Sequence, residues 1–212
     1  MSILRNVRSN QLTAWSADRG YCHDIMRALA VLVLVASPLM GQEPSITRVI
    51  DFASDDASDW FAVNDGVMGG RSASALTGGK GEVAVFQGHL SLENNGGFAS
   101  VRRQIPADTL EGASAVVLRV RGDGRPYQLR LRPDHRFDGI AYAADFETTA
   151  GQWTTVELPL HSFEPTFRGY RPPGVGPLKP SSIGQVVVML ADNQEGPFRL
   201  EIEWIGVDRS AR

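Results

Sequence analysis

Between residues 46 and 207 the chain breaks into ten short runs rich in β-branched and apolar residues, each closed by Gly, Pro, Asn or Asp. ITRVIDF (46–52), EVAVFQ (82–87), HLSLEN (89–94) and FASVRRQ (98–104) come first. AVVLRVRG (115–122), YQLRLR (127–132), AYAADFET (141–148), WTTVELP (153–159), IGQVVVML (183–190) and FRLEIEWIGV (198–207) follow. Most alternate with period two, and no stretch of about twelve residues carries the 3.6 period of an amphipathic helix. A chain of 212 residues with 42% hydrophobic content can fill one substantial core. The pattern predicts a single all-β domain, a sandwich or jelly roll.

Several function classes are excluded or weakened by composition. A formal net charge of −3 gives no electrostatic footprint for nucleic acid. The single cysteine, Cys22, rules out an intrachain disulfide and a cysteine-based zinc site. His89, His135 and His161 are far apart and form no metal-binding helical pair, so no metal and no cofactor is expected. No nucleophile elbow surrounds Ser72, Ser74 or Ser100, and no catalytic residue is assigned. The acidic stretch DFASDDASDW (51–60) lacks the terminal Glu of a calcium loop and reads as a charged loop leading into Trp60. A hydrolase remains open only if two of these carboxylates meet across a cleft.

The N-terminal residues have a different character. From Met26, MRALAVLVLVASPLMG places one Arg before an apolar run from Ala28 to Ala36, then Pro38 and Gly41. That layout predicts a signal peptide over 26–41 and a periplasmic or secreted protein, with a membrane tether through an uncleaved signal as the alternative. The apolar run is too short for a stable membrane span. Residues 1–25 have no strand or helix period and are expected to be an over-extended start or a disordered tail, leaving 42–212 as the β-sandwich.

Two groups of residues are candidates for binding. In VLRVRG, Arg119 and Arg121 alternate with Leu118 and Val120; in YQLRLR, Arg130 and Arg132 alternate with Leu129 and Leu131. Asp145 and Glu147 alternate with Ala144 and Phe146 in the third run. If the three runs are neighbours, one sheet face carries rows of Arg and acid. Such a face is either a solvated surface with cross-strand ion pairs or a polar floor that holds a ligand.

The second group lies in WFAVNDGVMGGRSAS (60–74), which sets Val67 and Met68 between glycines. Asn64 and Asp65 can accept from nearby backbone N–H groups, and Gly66, Gly69 and Gly70 permit tight turns. In a structural reading Val67 and Met68 plug one end of the sandwich while Arg71 and Ser72 pin the next strand. In a binding reading Met68 is an adaptable apolar contact for a protein partner, with Asn64, Asp65, Arg71 and Ser72 as polar specifiers. Arg102, after NNGGFAS, and Arg168, in FRG, are then candidate neighbours of the loop.

WFAVNDGVMGGRS, FQGHLSLENNGGFASVR, VRGDGRPYQLRLR, GQWTTVELPLHSFEPTFRG and GPFRLEIEWI occur in the order found in the complex I intermediate-associated protein 30 family. The resemblance covers about residues 47–207. It implies a galactose-binding-like β-sandwich, the jelly roll shared with many carbohydrate-binding modules. It also implies relation to a mitochondrial assembly factor for NADH:ubiquinone oxidoreductase, which acts as a chaperone on partly built membrane-arm intermediates. Together with the leader, it predicts a non-catalytic binding or assembly module outside the cytoplasm with a protein partner. A carbohydrate-binding module with a glycan ligand is the alternative, and respiratory complex I assembly is a second if the chain is not exported.

Overall fold

A computed structural model describes residues 45–133, 136 and 138–210. The leader and the expected 1–25 tail lie outside them, as does His135. The described chain forms twelve strands: β1 (Ile46–Asp51), β2 (Phe61–Ala62), β3 (Ala73–Thr77), β4 (Ala84–Leu90), β5 (Ala99–Gln104) and β6 (Ala115–Arg121), then β7 (Tyr127–Arg132), β8 (Ala141–Phe146), β9 (Trp153–Pro159), β10 (Glu164–Thr166), β11 (Gln185–Leu190) and β12 (Gly196–Asp208). Short 3-10 turns fill some of the links, and among the described residues no helix is long and apolar enough to cross a membrane.

The strands make two antiparallel sheets. Sheet I runs β3-β4-β12-β6-β9, with β1 also on β12; sheet II runs β10-β8-β7-β11-β5-β2. β12 is long enough to serve three partners. Its first half pairs with β4, and its second half lies between β6 and β1, with a register shift between Ile202 and Trp204. The all-β jelly-roll expectation is met, and its cause is visible in the alternation. Leu118 and Val120 on β6, and Leu200 and Ile202 on β12, face Leu129 and Leu131 on β7 and Val186 and Val188 on β11 within one core.

Aromatic side chains join the two inner faces. Phe86 of β4 meets Phe198 of β12 at 4.9 Å and Tyr127 of β7 at 6.4 Å, and Tyr127 lies 6.1 Å from Phe146 of β8. Two chain crossings between the sheets are tied together by one residue. Arg125, between β6 and β7, bonds both carboxylate oxygens of Asp192 (2.8 and 2.6 Å), between β11 and β12, and the carbonyl of Pro197 (3.1 Å), at the start of β12.

The runs 115–122, 127–132 and 141–148 are not three neighbours on one face. The chain crosses from sheet I to sheet II between β6 and β7, so Arg119 and Arg121 lie on one outer face and Arg130 and Arg132 on the other. Two further departures concern strands. HLSLEN does not continue as a strand past Leu90, because Glu93–Asn95 turns with Asn94 and Asn95 at φ of 55° and 59°. β3, β2 and β10 arise in segments that carry no long apolar run.

Candidate functional site

The outer face of sheet II is a trench of about 580 Å³. Its floor is β11, whose residues are all buried, including the outward-facing Val187 and Met189. Arg102 of β5 and Arg130 of β7 stand on either side of Val187, and Arg132 stands opposite Gln185. One wall is the loop after β2, with Val67 and Met68, together with Phe98 just before β5; the other is Thr166 at the end of β10 and Arg168 beyond it.

The wall loop is held by a buried carboxylate. Asp65, fully buried, accepts from the backbone N–H groups of Ser72 (2.9 Å), Gly97 (2.7 Å) and Phe98 (3.3 Å), and from the Ser72 hydroxyl. Ser72 Oγ in turn accepts from the Ser91 N–H at 3.0 Å. Burial pushes the Asp65 pKa up, but the hydrogen bonds from Ser72, Gly97 and Phe98 outweigh it and hold the carboxyl below its ordinary range. Asn64 works beside it: its Oδ1 accepts from Ser74 Oγ (2.7 Å) and Ser100 N (3.1 Å).

Two glycines of this loop are required for different reasons. Gly69 has φ of +91°, the left-handed region, while at Gly70 an added Cβ would lie 2.4 Å from the Asp65 carboxyl carbon. Between them and Asn64, residues Asp65–Met68 form a single 3-10 turn that buries Asp65 and turns Val67 and Met68 outward, each 59% exposed. They do not plug the sandwich. The structural reading is corrected on that point: the packing element is Asp65, and the apolar pair stands at the trench.

The sequence candidates therefore separate. Met68, Arg102, Arg168, Arg130 and Arg132 line the trench. Asn64, Asp65 and Ser72 brace its wall from behind, and Arg71 points away to Glu93 at 2.9 Å. Asp145 lies in register with Gln128 of β7, Glu147 follows the end of β8, and neither lines the trench. On sheet I, Arg121 bonds Glu201 (2.7 Å from Nε), Arg119 approaches Glu203 at 3.8 Å, and both stack over Trp153 at 5.1 and 5.7 Å. That surface is a solvated face closed by its own ion pairs.

The arginine floor has a distinct electrostatic state. Arg102 is pushed down to about 10, first by burial and then by Arg132 and Arg130, with Asp138 opposing. Arg130 is also lowered, mainly by burial, with Arg132 adding to it and Asp145 opposing. Both remain cationic at neutral pH. Arg168 reaches Asp138 at 2.6 Å and lies over the Phe167 ring at 5.3 Å.

Other candidates resolve into structure. In the acidic stretch, Asp55 Oδ2 accepts from Asp51 N (2.6 Å), Asp56 caps the 57–59 turn and pairs with Lys80 (2.5 Å), and Arg103 bridges Asp55 and Asp59 at 3.0 and 3.3 Å. Trp60 and Trp204 are buried. Among the described residues no three His, Cys, Asp or Glu side chains come together as metal ligands. Sequence reasoning missed Val187 and Met189 as floor residues. The available signal was QVVVML itself, since an antiparallel strand with no polar alternation has both faces covered.

Comparison with solved structures places the fold. The family 11 carbohydrate-binding module of the Clostridium thermocellum cellulosomal cellulase Lic26A-Cel5E superposes with a TM-score of 0.59 at 17% identity, over 79% of this chain and 96% of that one. The same family of module in complex with a β-1,3-1,4-mixed-linked tetrasaccharide gives 0.55, also at 17%, over 73% and 91%. At this identity the likeness is one of fold alone.

Sequence comparison goes further. Complex I intermediate-associated protein 30, mitochondrial, of Mus musculus is 31% identical over 173 residues, covering 72% of this chain and 53% of its own length. The Drosophila melanogaster protein of that name is 23% identical over 197 residues, 82% of this chain and 67% of its own. The chain thus spans between about half and two thirds of these relatives. Their names place them in mitochondria, which overturns the periplasmic or secreted expectation. A charged start and a short apolar run do not by themselves specify a compartment, and residues 26–41, which carried both that reading and the tethered alternative, lie outside the described residues. The complex I intermediate-associated protein 30 family model matches residues 50–202, nearly the whole sandwich, and the chain belongs to that family.

Proposed function

We propose that this domain is a non-catalytic binding module that serves as an assembly factor, holding a partner polypeptide in the sheet II trench, and that the partner is a part-built complex I intermediate. The observation that carries this reading is the Val67–Met68 pair: two large apolar side chains, each 59% exposed, on a turn that a buried carboxylate fixes in place. Exposed apolar residues on a rigid support, continuous with a buried apolar floor, are the mark of a surface made to be covered. Met68 and Met189 supply side chains that adapt to irregular partners. The names of the relatives supply the partner, as proteins associated with complex I intermediates.

A photo-crosslinking amino acid at position 68 tests it in the native host. Adducts with complex I subunits are the expected result, with none when the probe replaces Arg119 on the opposite sheet. The reading fails if position 68 yields no such adduct, or if the two positions yield the same ones. Retention on polysaccharide gels that Met68→Ser abolishes, without complex I adducts, would make the trench a sugar site instead.

A further inference from the structure

The trench floor carries a charge pattern that the partner-binding reading does not explain. Among its described lining residues are four arginines, Arg102, Arg130, Arg132 and Arg168, and one carboxylate, Asp138, which Arg168 engages at 2.6 Å. Arg130 is braced by a neutral group: its Nε and Nη2 donate to Gln128 Oε1 at 2.9 and 2.6 Å, which orients the guanidinium without neutralising it. Arg130 and Arg102 flank the same residue of β11, Val187. Their backbones are therefore two strand spacings apart, about 9.6 Å. Burial lowers Arg102 most, and the nearby cations Arg132 and Arg130 lower it further.

The distribution of donors distinguishes between anions. A compact phosphate is held by converging backbone N–H groups at a nest or a helix N-terminus. The glycine loop beside this trench has already committed its amides: Gly97 and Phe98 donate to Asp65, and Gly96 donates to the Glu93 carbonyl. The charged groups along the floor of Val187 and Met189 are instead side-chain guanidinium groups set at intervals. From β10 to β2 the face of sheet II that bears the trench crosses six strands, roughly 24 Å, the length of about seven extended residues. Singly charged groups at intervals, with apolar side chains between them, match this arrangement better than one dianion does.

We infer that the trench takes an extended acidic peptide segment, a carboxylate on Arg130 and its apolar side chains against Met68 and Met189. This rests on the partner-binding reading above and names the chemistry of the partner. Guanidinium–carboxylate pairs of this kind are charge-assisted and partly screened from water, so they set specificity and salt dependence together.

The test uses the full chain and fluorescein-labelled peptides of about seven residues alternating glutamate with leucine, and glutamine with leucine, read by anisotropy. The glutamate peptide is expected to bind at least about 10-fold tighter than the glutamine peptide, and to weaken several-fold between about 50 and about 300 mM NaCl. Arg130→Gln should lose about 10-fold with its thermal midpoint kept, and Arg119→Gln should lose nothing. Should Arg130→Gln not fold, the exposed Arg168→Gln, which frees Asp138 to repel the peptide, should weaken binding in the same direction. Equal affinity for the two peptides, an equal loss in Arg119→Gln, or stronger displacement by inorganic phosphate or oligogalacturonate than by unlabelled acidic peptide would each overturn the inference. Failure here with position-68 crosslinks intact sinks the acidic chemistry and leaves the partner reading standing. Acidic-peptide binding through Arg130 without those crosslinks does the reverse.

Discussion

Asp65 is the residue whose removal should cost the domain most for its size. Its carboxylate is fully buried and collects three backbone N–H groups and one hydroxyl, from Ser72, Gly97 and Phe98. Asp65→Ala leaves all four donors without that acceptor. It also opens a void, since Gly70 and Gly96 approach so closely that an added Cβ at either would fall 2.4 and 2.7 Å from the carboxyl group. An unmet buried donor costs about 1–3 kcal/mol, and a bond to a charged acceptor contributes about 1.5–3 kcal/mol. Ser72 is buried, but Gly97 and Phe98 are only half-buried and regain some water, so the total comes to about 3–5 kcal/mol rather than four full penalties. Against a domain stability of about 5–15 kcal/mol, that is a shift of about 2 M in the urea midpoint.

The pH dependence carries a sign. Because the folded pKa of Asp65 lies below the ordinary 3.8, its stabilisation is complete above that value and fades as pH falls from 3.8 toward the folded pKa. The stability gap between wild type and the isosteric Asp65→Asn should therefore be constant from neutral pH down to about 4 and shrink below it. Urea melts of the three proteins across that range decide the matter. A loss under about 1 kcal/mol in Asp65→Ala, or a gap that widens on acidification, would show that the carboxylate is not what holds the loop.

Backbone strain and the buried phenol each give a further outcome. Gly69→Val, at φ of +91°, should lose about 1–3 kcal/mol, while Gly66→Ala, with ordinary φ and open space, should stay within about 0.5 kcal/mol; equal thermal midpoints would defeat the distinction. Tyr127 is fully buried, and burial first, then the adjacent Asp123, push its phenol far above the ordinary 10.0. Its stabilisation is full below that value and lost as pH rises beyond it, so wild-type stability should decline above about pH 10 more steeply than that of Tyr127→Phe, and matching slopes in denaturant melts would refute the assignment.

The strand frame was legible because it depends on alternation. Tyr127, Leu129 and Leu131, or Leu118 and Val120, have to face a core whichever sheet they join. Sheet membership depends instead on where the chain crosses, and Gly122–Pro126 looks like any hairpin turn in sequence. What makes it a crossing is Arg125 reaching Asp192, 67 residues away. The same limit applied at the loop. Asn64, Asp65 and the glycines announced a tight turn, but two of the four donors to Asp65 come from Gly97 and Phe98, beyond the range of local pattern. With the carboxylate drawn inward, a one-turn 3-10 segment has to send Val67 and Met68 the other way.

The two outer faces show why one alternating pattern ends in two different surfaces. On sheet I, β12 contributes Glu201 in register with Arg121 of β6 and Glu203, at the register shift, 3.8 Å from Arg119, and Arg199 joins Glu201 at 3.0 Å. Charge is cancelled within the face, and the guanidinium groups of Arg119 and Arg121 lie over the Trp153 ring. On sheet II the strand between the arginine rows is β11, which offers Val187 and Met189 where β12 offers glutamates. Val187 and Met189 offer these arginines no carboxylate of their own strand and limit the access of water to them. The difference between a closed face and an open cationic trench therefore comes down to Glu201 and Glu203 on one central strand against Val187 and Met189 on the other.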